Sequence, residues 1–210
     1  MNNFNSKSFY AENECFEVVD GRVTEMYTQG KHIERKENDS FEELKVFILS
    51  VMRRINTESF LDLCTNWLYN DTICSKIADL VYEEKVNLGE IDSEKYPLHV
   101  LRELSKNYKE HCDSSNIEEK FYTHNCERRE AIILANNFIL YITSGKNVIR
   151  RCDIDFYWML KSSMNDMAKY DPEEFMRMYH SLTNDTFVKE IAEKIRVERR
   201  KAYNKNPFDL

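Results

Sequence analysis

The chain has 210 residues, 42% of them apolar and 12% aromatic, enough for the core of one domain or two small lobes. Charged residues make up 32%, with only four Gly and three Pro, which argues against an all-β or loop-rich fold. The formal charge of −7 excludes a global cationic field, so non-specific binding to a phosphate backbone is not the default behaviour.

In chain order, residues 1–39 read as a polar arm. Asp20-Gly21 lies between short, partly alternating stretches and is a signal for a two-residue hairpin, so the arm is expected to be either a short hairpin or disordered. From Ser40 the pattern turns helical. Ser40-Phe-Glu-Glu43 is a capping box, followed by a stripe from Phe41 through Leu44, Phe47, Ile48, Val51 and Met52 to Ile55. A second helix carries Phe60, Leu63, Cys64, Trp67 and Leu68 and ends at Asn70-Asp71. A third holds Ile73, Ile77, Leu80 and Val81, and a fourth, after Pro97, carries Leu98, Leu101, Leu104 and Tyr108.

A long fifth helix is predicted with Ile117, Phe121, His124, Ala131, Ala135, Phe138 and Ile142 on one face, and Gly145 just beyond its end. Asp153 caps a sixth helix, with Tyr157, Leu160, Met164 and Met167 inward. Asp171-Pro172 starts a short seventh with Phe175, Met178, Tyr179 and Leu182. Thr183-Asn-Asp185 caps the last, which carries Val188, Ile191, Ile195 and Ala202. The expectation is an all-α fold of about eight helices, organised as an N-terminal arm over 1–39, a helical domain over 40–205 and a tail over 206–210. No internal sequence repeat stands out, so any repeat would be structural only.

Motifs for chemistry are sparse. There is no phosphate loop, dinucleotide turn, nucleophile elbow or HExxH, so no cofactor and no catalytic residues are expected. His111-Cys112 with His124 and Cys126 is the nearest approach to a zinc set, but on helices both pairs would splay apart, so no metal is expected either. The adjacent carboxylates Glu83-Glu84, Glu118-Glu119 and Glu173-Glu174 diverge on a helix and read as solvated faces. No apolar run reaches transmembrane length, and the first residues lack the pattern of a secretory signal, so a cytoplasmic or nuclear chain with six reduced cysteines is expected. In such a compartment the sequons at Asn70-Asp-Thr72 and Asn184-Asp-Thr186 carry no glycan.

Charge is uneven. Residues 186–205 hold seven Lys/Arg and three Asp/Glu, a local +4 that leaves −11 on the remainder. Arg196, Arg200 and Lys201, with Arg150 and Arg151, are therefore the candidate partner-binding residues. Arg199 continues the Val188, Ile191, Ile195 stripe at i+4, so it is expected to be partly buried against a carboxylate or carbonyl.

This last helix resembles the end of the middle domain of eukaryotic translation initiation factor 4G and its small single-domain relatives, where an aliphatic stripe leads into Leu-Arg-x-x-x-Trp. Here Glu198-Arg199-Arg200-Lys201-Ala202-Tyr203 keeps the arginine and puts Tyr203 in place of tryptophan. The segments 47–87 and 132–142 are similar to the family's earlier helices. The resemblance implies a HEAT-like stack of antiparallel helix pairs, with Arg199 and Tyr203 structural. It also implies a non-catalytic adaptor in translation or RNA processing, whose partners would be a DEAD-box helicase, an RNA-binding protein or RNA itself; some small members dimerise. Phe9 and Phe16 are also spaced like the two anchors of a peptide that binds poly(A)-binding protein. The alternatives are a Bcl-2-like bundle of the viral inhibitor type, with 132–142 as its central helix, and a helical-bundle enzyme.

Overall fold

A computed structural model of the chain describes residues 5–28, 30–36, 39–111, 119–125 and 130–205. It is mixed α/β. Two four-stranded antiparallel sheets and seven α-helices alternate as sheet, helices, sheet, helices, in two compact units spanning Met1–Lys106 and Asn107–Leu210.

In the first unit, strands β1 (Ser6–Ala11), β2 (Glu14–Val19), β3 (Arg22–Thr28) and β4 (Lys31–Glu34) form a meander in the order 1-2-3-4. The hairpin at Asp20-Gly21 is present, with φ of 48° and 82°, the left-handed pair that such a turn requires. Alternation sets the faces: Phe9, Ala11, Phe16, Val18, Val23 and Met26 are buried, while their neighbours are half-buried or exposed. Phe9 and Phe16 face each other across β1 and β2 with ring centroids 5.7 Å apart, so they are core partners and not anchors of an extended peptide.

Helix α1 (Phe41–Arg54) packs on β1, β2 and β3 through Leu44, Ile48, Val51 and Met52. Ser40 and Glu43 form the reciprocal capping box at its start. Helix α2 (Thr57–Asp62) runs into a π-helical turn, Leu63–Trp67; α3 (Thr72–Asn87) lies against α1, and α4 (Leu98–His111) follows.

The second unit contradicts the all-α, HEAT-like expectation most directly. The long fifth helix does not exist: its sequence falls in β5 (Glu119–Asn125), β6 (Glu130–Ala135) and β7 (Phe138–Ser144), and with β8 (Asn147–Arg150) beyond Gly145 these form a meander in the order 5-6-7-8. The apolar run 132–142 is two strands with a turn between them, because Asn136 and Asn137 both take positive φ, 51° and 65°. It is therefore not the central helix of a Bcl-2-like bundle. Ile132, Ile133 and Leu134 are all fully buried, so β6 is covered on both faces; that is why it reads as an unbroken apolar stretch. Gly145 turns β7 into β8 and ends no helix. Helices α5 (Phe156–Tyr170), α6 (Pro172–Ser181) and α7 (Thr186–Lys205) complete the unit, with α5 against β5, β6 and β7. Among the described residues, no helix is long and apolar enough to cross a membrane.

The two units repeat one plan. Adding 116 to a residue number carries β2, β3 and β4 onto β6, β7 and β8 register by register: Glu25–Glu34 becomes Tyr141–Arg150, and Thr28–Lys31 becomes Ser144–Asn147. The bulge between Glu17 and Val18 falls on that between Ile133 and Leu134. Leu44, Ile48 and Val51 of α1 correspond to Leu160, Met164 and Met167 of α5, all buried. Between α3 and α7 the offset is 114, where Asn70-Asp71-Thr72 matches Asn184-Asp185-Thr186, and Ile77-Ala78 matches Ile191-Ala192. The chain thus contains an internal repeat, which it keeps in sequence at only a few positions.

Candidate functional site

One buried polar arrangement recurs in both units. In the first, Asp71 caps α3 by accepting the Cys74 amide (3.0 Å), accepts the Val23 amide of β3 (3.1 Å), and pairs with Arg35, which also donates to the Val23 carbonyl (3.3 Å). In the second, Asp185 caps α7 through the Val188 amide (3.2 Å), accepts the Ile139 amide of β7 (3.1 Å), and pairs with Arg151, which donates to the Ile139 carbonyl (3.1 Å). Asn70 and Asn184 each donate to the carbonyl of a hairpin residue, Asp20 at 2.8 Å and Asn136 at 2.7 Å. Each clamp ties the sheet to the N-terminus of a core helix, α3 in one unit and α7 in the other, satisfying backbone groups at both. Burial pushes the Asp71 carboxyl up, but the Arg35 bond and the Cys74 amide outweigh it and hold the group below its ordinary range.

This places Arg151. It is 1% exposed, its guanidinium lies 4.1 Å from the Phe138 ring centroid, and both terminal nitrogens bond Asp185 at 2.6 and 3.1 Å. It does not face a partner. A buried guanidinium with a bidentate carboxylate and a carbonyl is consumed in holding the fold. Arg150, one residue earlier, is exposed at the end of β8.

The other candidates lie on α7. Val188, Ala192 and Ile195 are buried, but beyond Ile195 the helix leaves the core, and residues 200–204 are all exposed. Arg196 is bound bidentately to Glu193 (2.7 Å to each oxygen), and Glu193 in turn is held down to about 2 by that arginine and the Tyr179 hydroxyl. Arg199 is half-buried and reaches the Asn165 carbonyl of α5 at 3.4 Å. Arg200 and Lys201 are exposed and pair with no carboxylate among the described residues; Tyr203 is 55% exposed. The spacing i, i+3, i+4, i+7 puts Arg196, Arg199, Arg200 and Tyr203 on one face, while Lys201 is turned about 100° from Arg200. The sequence thus located a cationic helical surface, and the fold removes Arg151 from it.

Arg35 escaped the sequence reading, Asp71 entered it only as a helix end, and Asp185 only as a helix cap, without its arginine. The signal was available: Asn-Asp-Thr occurs twice, each time with an arginine upstream by 36 or 34 residues. As sequons those tripeptides carried no information, but as helix caps they mark the repeat.

No catalytic constellation forms around the described thiols. Cys15, Cys64, Cys74 and Cys152 are in no disulfide; burial pushes the Cys64 thiol up to about 12, and burial with the Asp71 charge pushes Cys74 up too, so both stay protonated. No cluster of three metal-ligating side chains occurs among the described residues. The His111, Cys112, His124, Cys126 set lies outside the described side chains.

No family model, curated protein or solved structure matches the chain. The fold that a resemblance to the initiation-factor middle domain implies, a stack of helix pairs, is not the fold found, because each unit is built on a four-stranded antiparallel sheet.

Proposed function

We propose that the chain is a non-catalytic binding protein that engages an acidic protein partner through the exposed basic part of α7. One observation carries this reading. A helix whose last buried apolar side chain is Ile195 continues to Lys205 with residues 200–204 all exposed, presenting Arg196, Arg200, Lys201 and Tyr203 on a protein whose remaining residues sum to −11. Helix ends that only satisfy the dipole need one or two cations, and they need no exposed aromatic. Arg and Tyr are the side chains that most often anchor interfaces, because each combines a large apolar face with a polar tip. The cations occupy one helix end and not an extended stripe, which suits a short cluster of protein carboxylates better than a phosphate backbone, with RNA left as an outcome of the test.

The test compares the full chain with an Arg200→Glu/Lys201→Glu variant in affinity purification from native extract, with and without ribonuclease, at matched circular dichroism. The expected result is a set of partners lost with the variant and insensitive to ribonuclease. Identical recovery by both proteins would remove the helix end from the argument, and ribonuclease-sensitive recovery would replace the protein partner with RNA.

A further inference from the structure

Helix α1 carries two stripes. Leu44, Ile48, Val51 and Met52 are buried in the core, and the outward side of the helix is made by Glu42, Val46, Leu49 and Arg53. At 100° per residue these four lie within about 60° of one another and about 145° from the centre of the buried stripe. Their spacing of four, three and four residues is that of a helix–helix seam. Val46 is 73% exposed, Leu49 is half-buried, and Glu42 and Arg53 are exposed. On the adjoining α3, Glu84 accepts a bond from Arg53 Nε (2.7 Å), and the exposed Leu80 and Leu88 lie one turn either side of it.

The fold does not require this apolar pair. With the offset of 116, the same positions on α5 are Trp158, Ser162, Asn165 and Lys169. The second unit thus has a hydroxyl and an amide where the first turns valine and leucine outward, and it has no carboxylate at the head of the stripe. Single exposed apolar side chains are ordinary on a protein surface. An apolar pair at seam spacing, framed by charges of opposite sign and continued by leucines on the next helix, has the make-up of an interface.

The stripe reads acid, apolar, apolar, base, and it is complementary to itself when reversed. A twofold axis across the middle of α1 sets the helix antiparallel to that of a second copy. Glu42 then falls opposite the second copy's Arg53, and Val46 opposite its Leu49, each contact being made twice. Lys45 falls opposite Ser50, so no like charges meet. A parallel pairing would set Glu42 on Glu42 and Arg53 on Arg53. Arg53 holds Glu84 through Nε, and among the described residues its two terminal nitrogens make no hydrogen bond, so one guanidinium serves both carboxylates.

We propose that the outward face of α1 docks a second copy of this chain as an antiparallel helix pair, closed by two Glu42–Arg53 ion pairs. The contact is isologous, so association stops at two chains. It uses none of the α7 cations and is independent of the binding reading above.

Sedimentation equilibrium of the full chain over a range of concentrations tests this. The average mass should rise from one chain to two and level off there. Val46→Lys, at a position too exposed to matter to the core, should weaken dimerisation at least about tenfold at unchanged circular dichroism, because each dimer contains the change twice. Glu42→Arg and Arg53→Glu should each weaken it severalfold. An equimolar mixture of those two variants should recover most of the parent's dimer, since both ion pairs return with their signs exchanged. The Arg200→Glu/Lys201→Glu chain should dimerise like the parent. A parent chain that stays monomeric up to about 1 mM, assembly beyond two chains, or dimers indifferent to Val46→Lys overturns the inference. So does a mixture that recovers nothing, or a dimer lost with the α7 variant.

Discussion

The two units build the same clamp with different completeness. In the second, Arg151 is fully enclosed, bonds Asp185 through two nitrogens and lies over Phe138. In the first, Arg35 reaches Asp71 through one nitrogen, and its Nε, although buried, has no hydrogen-bond partner. The conserved element is the aspartate, which meets an amide of a strand, an amide of a helix and a guanidinium at once; the arginine's own geometry has drifted. What the repeat preserves is the junction between sheet and helix, where unpaired backbone groups would otherwise be buried. Surfaces were free to diverge, and α7 became basic where α3 is acidic.

Breaking the clamps should separate the units most strongly. Asp185→Ala strands a buried guanidinium and removes a helix cap, and should cost about 3–5 kcal/mol of the second unit's stability in denaturant unfolding followed by hydrogen exchange. Asp71→Ala should do the same to the first unit but at the lower end of that range, since its arginine is already incompletely bonded. If both variants lose protection in the same residues, the units do not behave as separate clamps.

A smaller effect is expected at the hairpins. Gly21 has φ +82°, and a Cβ there would meet the Tyr69 ring at 2.7 Å, whereas its counterpart Asn137 carries a side chain in the same conformation. Gly21→Ala should therefore destabilise by about 1–3 kcal/mol, while Asn137→Gly should stay within about 0.5 kcal/mol of the parent. Equal melting shifts for the two would show that the ring contact decides nothing.

The mildest effect is expected in acid. Because the folded Asp71 carboxyl titrates below its ordinary range, the unfolded chain binds the extra proton first. Its contribution is complete above the unfolded value of about 3.9 and fades as pH falls through the lower folded value. An Asp71→Asn variant should be less stable near neutrality and should show a flatter acid limb in a pH series of unfolding midpoints. Parallel curves would mean that the carboxylate is not the titrating link.

How much of this was readable without coordinates depends on the element. Ser40 with Glu43, Asp171-Pro172 and Asp185 announced helices because caps act on backbone groups within four residues, a range the sequence displays directly. The Asp20-Gly21 turn was readable for the same reason. The segment 132–142 was not: a strand buried on both faces loses the period of two, and Ile-Ile-Leu-Ala followed by Phe-Ile-Leu-Tyr fits a buried helix equally well. The one local clue was Asn136-Asn137, two residues that tolerate positive φ in the middle of the run. For the candidate surface, composition located the cations of α7, but it could not separate Arg150 from Arg151, neighbours of which one is exposed and the other sealed beneath Phe138.

The sequence by itself therefore determined the capped starts of α1, α6 and α7, the first hairpin turn and the concentration of positive charge at the end of α7, all of them consequences of contacts between near neighbours. Only the tertiary structure decided that the middle of the chain is a sheet, that Asn-Asp-Thr marks a duplicated junction, and which arginines are spent on the fold. Those outcomes depend on groups more than thirty residues apart sharing one buried carboxylate, and no local pattern encodes which distant arginine will reach it.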